Sequence, residues 1–147
     1  MTFSKRALRR ALRAAAFIGV CVGPALAAEP AVQLELNRLE AVAPSVCRMY
    51  LVATNASAEP YRSLKLDLFT FGGDGVILKR AAVEVGPLAA RKTQVKMFDF
   101  AGAPCSGVAR VLLNDVVSCA REPASSAQDC LAAIATRSRV ADAAFDK

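Results

Sequence analysis

Leu64-Lys-Leu-Asp-Leu-Phe-Thr-Phe-Gly72-Gly-Asp-Gly-Val-Ile-Leu-Lys-Arg-Ala-Ala-Val-Glu-Val85 has the pattern of a β-hairpin. Leu64, Leu66 and Leu68 alternate with Lys65 and Asp67, which is the period-2 signature of a half-buried strand. Gly72-Gly73-Asp74-Gly75 then supplies residues that tolerate positive φ, and a second apolar run follows before Gly86-Pro87. The other apolar runs after residue 28 are also of strand length. The hairpin is therefore placed at the centre of a sheet in an all-β sandwich.

Upstream, Val32, Leu34 and Leu36 alternate with polar residues and make a first strand. A second strand from about Val46 to Thr54 puts Cys47, Met49, Leu51 and Ala53 on one face, taken as the inner one because Arg48 and Thr54 mark the wetter side. Asn55 to Pro60 is turn-rich, and Asn55 reads as a turn former although Asn55-Ala56-Ser57 fits a glycosylation sequon. Downstream, Thr93, Val95 and Met97 alternate with Lys92, Gln94 and Lys96. Val108 to Val117 forms an apolar run interrupted by Asn114 and Asp115, so a bulge or a strand end is expected there. Ser125 followed by Gln128 offers a capping box for a short helix, and Ile134 to Val140 alternates as a last strand. The expectation is an immunoglobulin-like Greek-key sandwich of about seven strands, residues 28–147, with a short helix before the last strand.

The first 27 residues read as processing signal. Lys5, Arg6, Arg9, Arg10 and Arg13 precede a short apolar segment, and Ala25-Leu26-Ala27 has the small-x-small form of a cleavage site. Arg9-Arg10 also partly matches a twin-arginine signal, and both that route and general secretion stay open. The apolar segment is too short for a permanent span and no second one follows, so no integral membrane segment is expected after processing. Five of the 19 Lys and Arg lie before the cut and none of the 13 Asp and Glu do, leaving a formal charge of +1. The basic character of the whole chain thus belongs to the signal, and nucleic acid is not an expected partner. The expected location is the periplasm.

Cys21 falls in the signal, leaving Cys47, Cys105, Cys119 and Cys130. An even count in an exported chain predicts two disulfides, with three possible connectivities. In a Greek-key sandwich the second and sixth strands face each other across the core and run roughly the same way. Cys47 opens the second and Cys105 precedes the sixth, so Cys47–Cys105 is preferred, with Cys119–Cys130 closing a local loop.

Leu66-Asp67-Leu68-Phe69, Asp74-Gly75-Val76-Ile77 and Val85-Gly86-Pro87-Leu88 together resemble the FxLYD-type immunoglobulin-like domains of exported bacterial proteins. With Cys47-Arg48-Met49-Tyr50-Leu51-Val52, Leu113-Asn114-Asp115-Val116 and Asp129-Cys130-Leu131, the chain also resembles alphaproteobacterial proteins labelled only by a twin-arginine signal. The resemblance implies a sandwich and export, and it carries no catalytic residue.

The chain has no histidine, which removes Ser-His and Cys-His nucleophile systems. No metal site and no cofactor is expected. Asp67, Asp74 and Glu84 have ordinary places on a solvated face or in a turn, whereas Asp115 is the one carboxylate inside an apolar run. If Leu64, Leu66 and Leu68 face inward, Phe69 and Phe71 face out; if Val95 and Met97 face inward, Phe98 and Phe100 face out as well. Four outward phenylalanines would form a partner-binding patch. The leading reading is a non-enzymatic interaction module that binds a protein or envelope partner through a sheet edge or the Phe69/Phe71 surface. Its alternatives are a small carboxylate-based enzyme and a structural or carrier protein.

Overall fold

A computed structural model describes residues 29–147, so the expected export signal, its cut and Cys21 lie outside the described residues. The elements in order are β1 (Val32–Ala43), β2 (Val46–Asn55), β3 (Tyr61–Phe71), β4 (Ile77–Glu84), β5 (Thr93–Ala101), β6 (Arg110–Arg121), α1 (Ala127–Ala132), β7 (Ile134–Ser138) and β8 (Ala144–Asp146). They build two four-stranded sheets, the first in the order β5-β2-β1-β7 and the second β4-β3-β6-β8. The all-β sandwich is as expected, with eight strands instead of seven. The added strand, β8, is three residues long and pairs parallel to β6. So short a segment has no readable alternation, and it becomes a strand only because β6 offers it a ladder.

In β1, β2, β3 and β6 the core lies where the alternation placed it. Cys47, Met49, Leu51 and Ala53 of β2 are buried, as are Val32, Leu34 and Leu36 of β1 and Leu64, Leu66 and Leu68 of β3, together with Val111, Leu113 and Val116 of β6. Each fully buried Leu contributes about 1.5–3 kcal/mol relative to exposure. The β3–β4 hairpin forms on the expected turn, with Gly75 at φ 78° and the Asp74 carboxylate accepting the Val76 N–H at 3.0 Å. The hairpin is not central, however: β3 is an inner strand and β4 is an edge. Where β4 leaves the sheet, Glu84 clips the chain by accepting N–H groups from Leu64 and Gly86 at 2.7 and 2.9 Å. A Cβ at Gly86 would sit 2.7 Å from the Leu64 nitrogen, so only glycine fits that crossing.

Asn114 stands unmatched between Asp115 and Leu113, which pair with Asp67 and Leu68, so the polar interruption is a bulge in β6. Asn55 is fully buried, donates to the carbonyls of Glu59, Leu88 and Ala89, and accepts from Ser57. It is a turn former whose amide is already committed. The helix starts one residue later than expected, with Ser126 and Asp129 forming the capping box. Disulfides join Cys47 to Cys105 and Cys119 to Cys130, with Cα separations of 4.8 and 6.5 Å. The first ties the opening of β2 in one sheet to the approach to β6 in the other. Each closed loop is worth about 2–4 kcal/mol.

Candidate interaction surfaces

The outer face of the second sheet carries Phe69 and Phe71, pointing away from the core as expected but half-buried. Arginines cover both: Arg80 of β4 lies 5.3 Å from the Phe69 ring centroid, and Arg110 of β6 lies 5.2 Å from that of Phe71. Arg110 is held there by Asp146 at 2.9 Å. Cation–π contacts of this kind contribute about 0.5–1 kcal/mol at exposed sites.

Beneath Arg80 sits Asp67, 3% exposed, which corrects its placement on a solvated face. Its carboxylate accepts from Arg80 Nε at 2.8 Å and from Asn114 Nδ2 at 2.9 Å. The Arg80 hydrogen bond holds its pKa below the ordinary value against burial, and Asn114 adds to the effect. Asn114 is thus the bulged residue that reaches back to satisfy a buried acid. Asp115, across from Asp67 in the register, is exposed and accepts the N–H of its neighbour Val116 at 2.7 Å. Its interruption of the apolar run is accounted for by the bulge.

Phe98 and Phe100 do not join Phe69 and Phe71. Phe100 is 3% exposed and Phe98 packs against the core, whereas Val95 and Met97 are 59% and 58% exposed. The register explains the reversal: Phe100 pairs with Cys47 and Phe98 with Met49, and directly paired residues share a face. Lys96, on that inner face, reaches the rim and donates to the Gly86 carbonyl at 3.3 Å. Its apolar stem can line the core while its ammonium stays polar.

Val95 and Met97 therefore lie on the outer face of the first sheet, opposite Val52 and Tyr50. Farther across that face, Glu35 of β1 is buried at 5% exposure beneath Arg137 and Arg139, at 2.6 and 3.3 Å, with Asn37 donating at 2.8 Å. The Asn37 hydrogen bond lowers its pKa against burial, and the two arginines lower it further.

The sheet edges are unequal. β4 is bulged near its start and presents Lys79 and Arg80, while β7 and β8 have five and three residues. β5 runs unbulged through nine consecutive pairs with β2, from Val46–Ala101 to Thr54–Thr93, without a shift. At its ends Asn55 donates to the Lys92 carbonyl and Gly102 donates to the Ser45 carbonyl. Bonded pairs alternate along an antiparallel ladder, so even-numbered residues of β5 bond to β2. Thr93, Val95, Met97, Asp99 and Ala101 accordingly turn their N–H and C=O groups outward, where no strand pairs among the described residues. Bulges, lysines, inward-pointing charges and short length are the usual guards of an edge, and of these β5 carries Lys96 on its inner face. The charges of β5 are both engaged: Lys96 on the Gly86 carbonyl and Asp99 with Arg48 at 2.7 Å.

Among the described residues, no group of three His, Cys, Asp or Glu stands together, and no helix is long and apolar enough to cross a membrane. Three surface clefts are lined with a single carboxylate in two cases, Glu29 and Asp142, and none in the third. Comparison with family models, with curated proteins and with solved structures finds no match for this chain.

Proposed function

We propose that this chain is a non-enzymatic interaction module of the periplasm that receives a protein partner by strand addition to β5. One observation carries the reading: nine residues of unbulged edge with five outward sets of peptide groups, beside the exposed Val95 and Met97. An extended partner on such an edge gains main-chain hydrogen bonds, and alternate side chains supply selectivity. Two disulfides fit an oxidising compartment and so support export. The distribution of β1, β2 and β5 in one sheet and β3, β4 and β6 in the other supports the immunoglobulin-like reading.

The test is capture from a periplasmic extract by protein expressed from the full-length sequence, comparing Val95→Pro with Phe69→Ser. The Val95 N–H points away from β2, so proline there removes an outward donor and leaves the internal ladder whole. Partner loss with Val95→Pro and retention with Phe69→Ser is the expected result. Equal capture by Val95→Pro and the parent would overturn the edge reading, and loss with Phe69→Ser alone would move the site to the second sheet.

A further inference from the structure

We infer that Arg137 and Arg139 form a binding site for a phosphate group on the outer face of the first sheet; the site stands apart from the β5 edge and does not rest on it. The observation behind it is a mismatch of charge. Arg48, Arg80 and Arg110 each meet one carboxylate through Nε and a second guanidinium nitrogen, on Asp99, Asp67 and Asp146 in turn. Those pairs are neutral and their forks are filled. Glu35 is different: one buried carboxylate takes two arginines, and both arrive by Nε on the same oxygen, Oε2, at 2.6 and 3.3 Å. Asn37 donates to its other oxygen at 2.8 Å. One arginine would neutralise Glu35, so the cluster keeps one positive charge in excess.

The buried carboxylate also sets the two guanidiniums side by side. Arg137 lies in β7 and Arg139 follows it, its N–H still on the Leu36 carbonyl at 2.8 Å, so the two side chains share a face. They are 54% and 66% exposed, and among the described residues no Nη group of either donates a hydrogen bond. A phosphate group offers several oxygens that accept arginine N–H groups in pairs, and its charge offsets the excess. Beside Arg137 lies a cleft of about 280 Å³, where the Gln33 amide and the Thr54 hydroxyl are further donors and the exposed Glu29 is the one carboxylate.

Inorganic phosphate titrated at constant ionic strength into protein expressed from the full-length sequence tests the site, with the arginine Nε–H signals followed by NMR. Saturable shifts of Arg137 and Arg139 are expected, with the weak affinity of a solvated site. Arg139→Gln should weaken binding by roughly tenfold, because it removes charge-assisted hydrogen bonds. That variant should fold, since Glu35 keeps Arg137 and Asn37 much as Asp67 keeps Arg80 and Asn114. Arg139→Lys should restore only part of the affinity, because it keeps the charge and loses the fork. Arg110→Gln removes the same charge from the other sheet and should leave the affinity unchanged. No saturable shift in the parent, or equal weakening by Arg110→Gln and Arg139→Gln, overturns the inference. Sedimentation with vesicles of phosphatidylglycerol or of phosphatidylcholine separates the sources. Retention on the former alone, lost in Arg139→Gln, supports the site with a lipid headgroup as its phosphate, and phosphate binding without retention supports it with a soluble one.

Discussion

The two outer faces of this sandwich start from the same device and end differently. On each, an inner strand carries a buried carboxylate, Glu35 on β1 and Asp67 on β3, held by arginine and by an asparagine amide. On the second sheet the same arginine that binds Asp67 also lies over Phe69, and Arg110 covers Phe71, so ionic and aromatic groups seal one another. On the first sheet the arginines gather over Glu35 near β7, and at the opposite side Val95 and Met97 stand uncovered beside an unbulged edge. A face whose charges are spent on covering its own aromatics offers little to a partner. The face that leaves apolar side chains and peptide groups open is the one suited to association.

The largest effect should come from breaking one of the buried clusters. Asp67→Ala removes a buried carboxylate that ties Arg80 and Asn114 to β3 and releases both to water, and a loss of about 1–3 kcal/mol is expected in urea denaturation. Glu35→Ala should cost about 1–3 kcal/mol, since Arg137 and Arg139 are well solvated once released. Comparable losses for the two would show that both faces are anchored alike, and a neutral Glu35→Ala would end the parallel.

Acid should act on both clusters in the same direction. Each carboxyl has a folded pKa below its ordinary value, so the unfolded state binds more protons as pH falls through the ordinary carboxylate range. Their stabilisation is fully present above about pH 5 and is lost as pH falls through the folded values. The stability gap between the parent and Asp67→Asn should therefore be widest near neutrality and narrow below about pH 4. A gap that stays constant from neutral to acid pH would refute the ionised state of Asp67.

Removing the covers sharpens the contrast between the faces. Arg110→Ala should cost about 0.5–1.5 kcal/mol and raise the fluorescence of a hydrophobic-surface dye as Phe71 opens, whereas Arg80→Ala also leaves the buried Asp67 carboxylate with Asn114 alone and should cost about 2–4 kcal/mol. The smallest effect belongs to the open face: Val95→Thr should change stability by no more than about 0.5 kcal/mol, because its side chain packs on little. A large destabilisation there would mean that Val95 is covered in solution by another chain.

Much of this architecture is legible in the sequence. Alternation sets the inner faces of β2 and β3, the glycines and Asp74 mark the hairpin, and the facing of the second and sixth strands selects Cys47–Cys105. Those features rest on local periodicity, turn chemistry or general rules of sandwich topology. The facing of β5 is not legible, because both of its faces carry apolar residues: Val95 and Met97 on one, Phe98 and Phe100 on the other. Period 2 separates two faces without naming the buried one, and the choice falls to the pairing of Phe98 with Met49 and of Phe100 with Cys47. The burial of Asp67 is hidden for a related reason, since Arg80 and Asn114 reach it from neighbouring strands 13 and 47 residues away. Edge status and outward peptide groups are likewise properties of a sheet's order, and a strand acquires them only when its neighbours are in place.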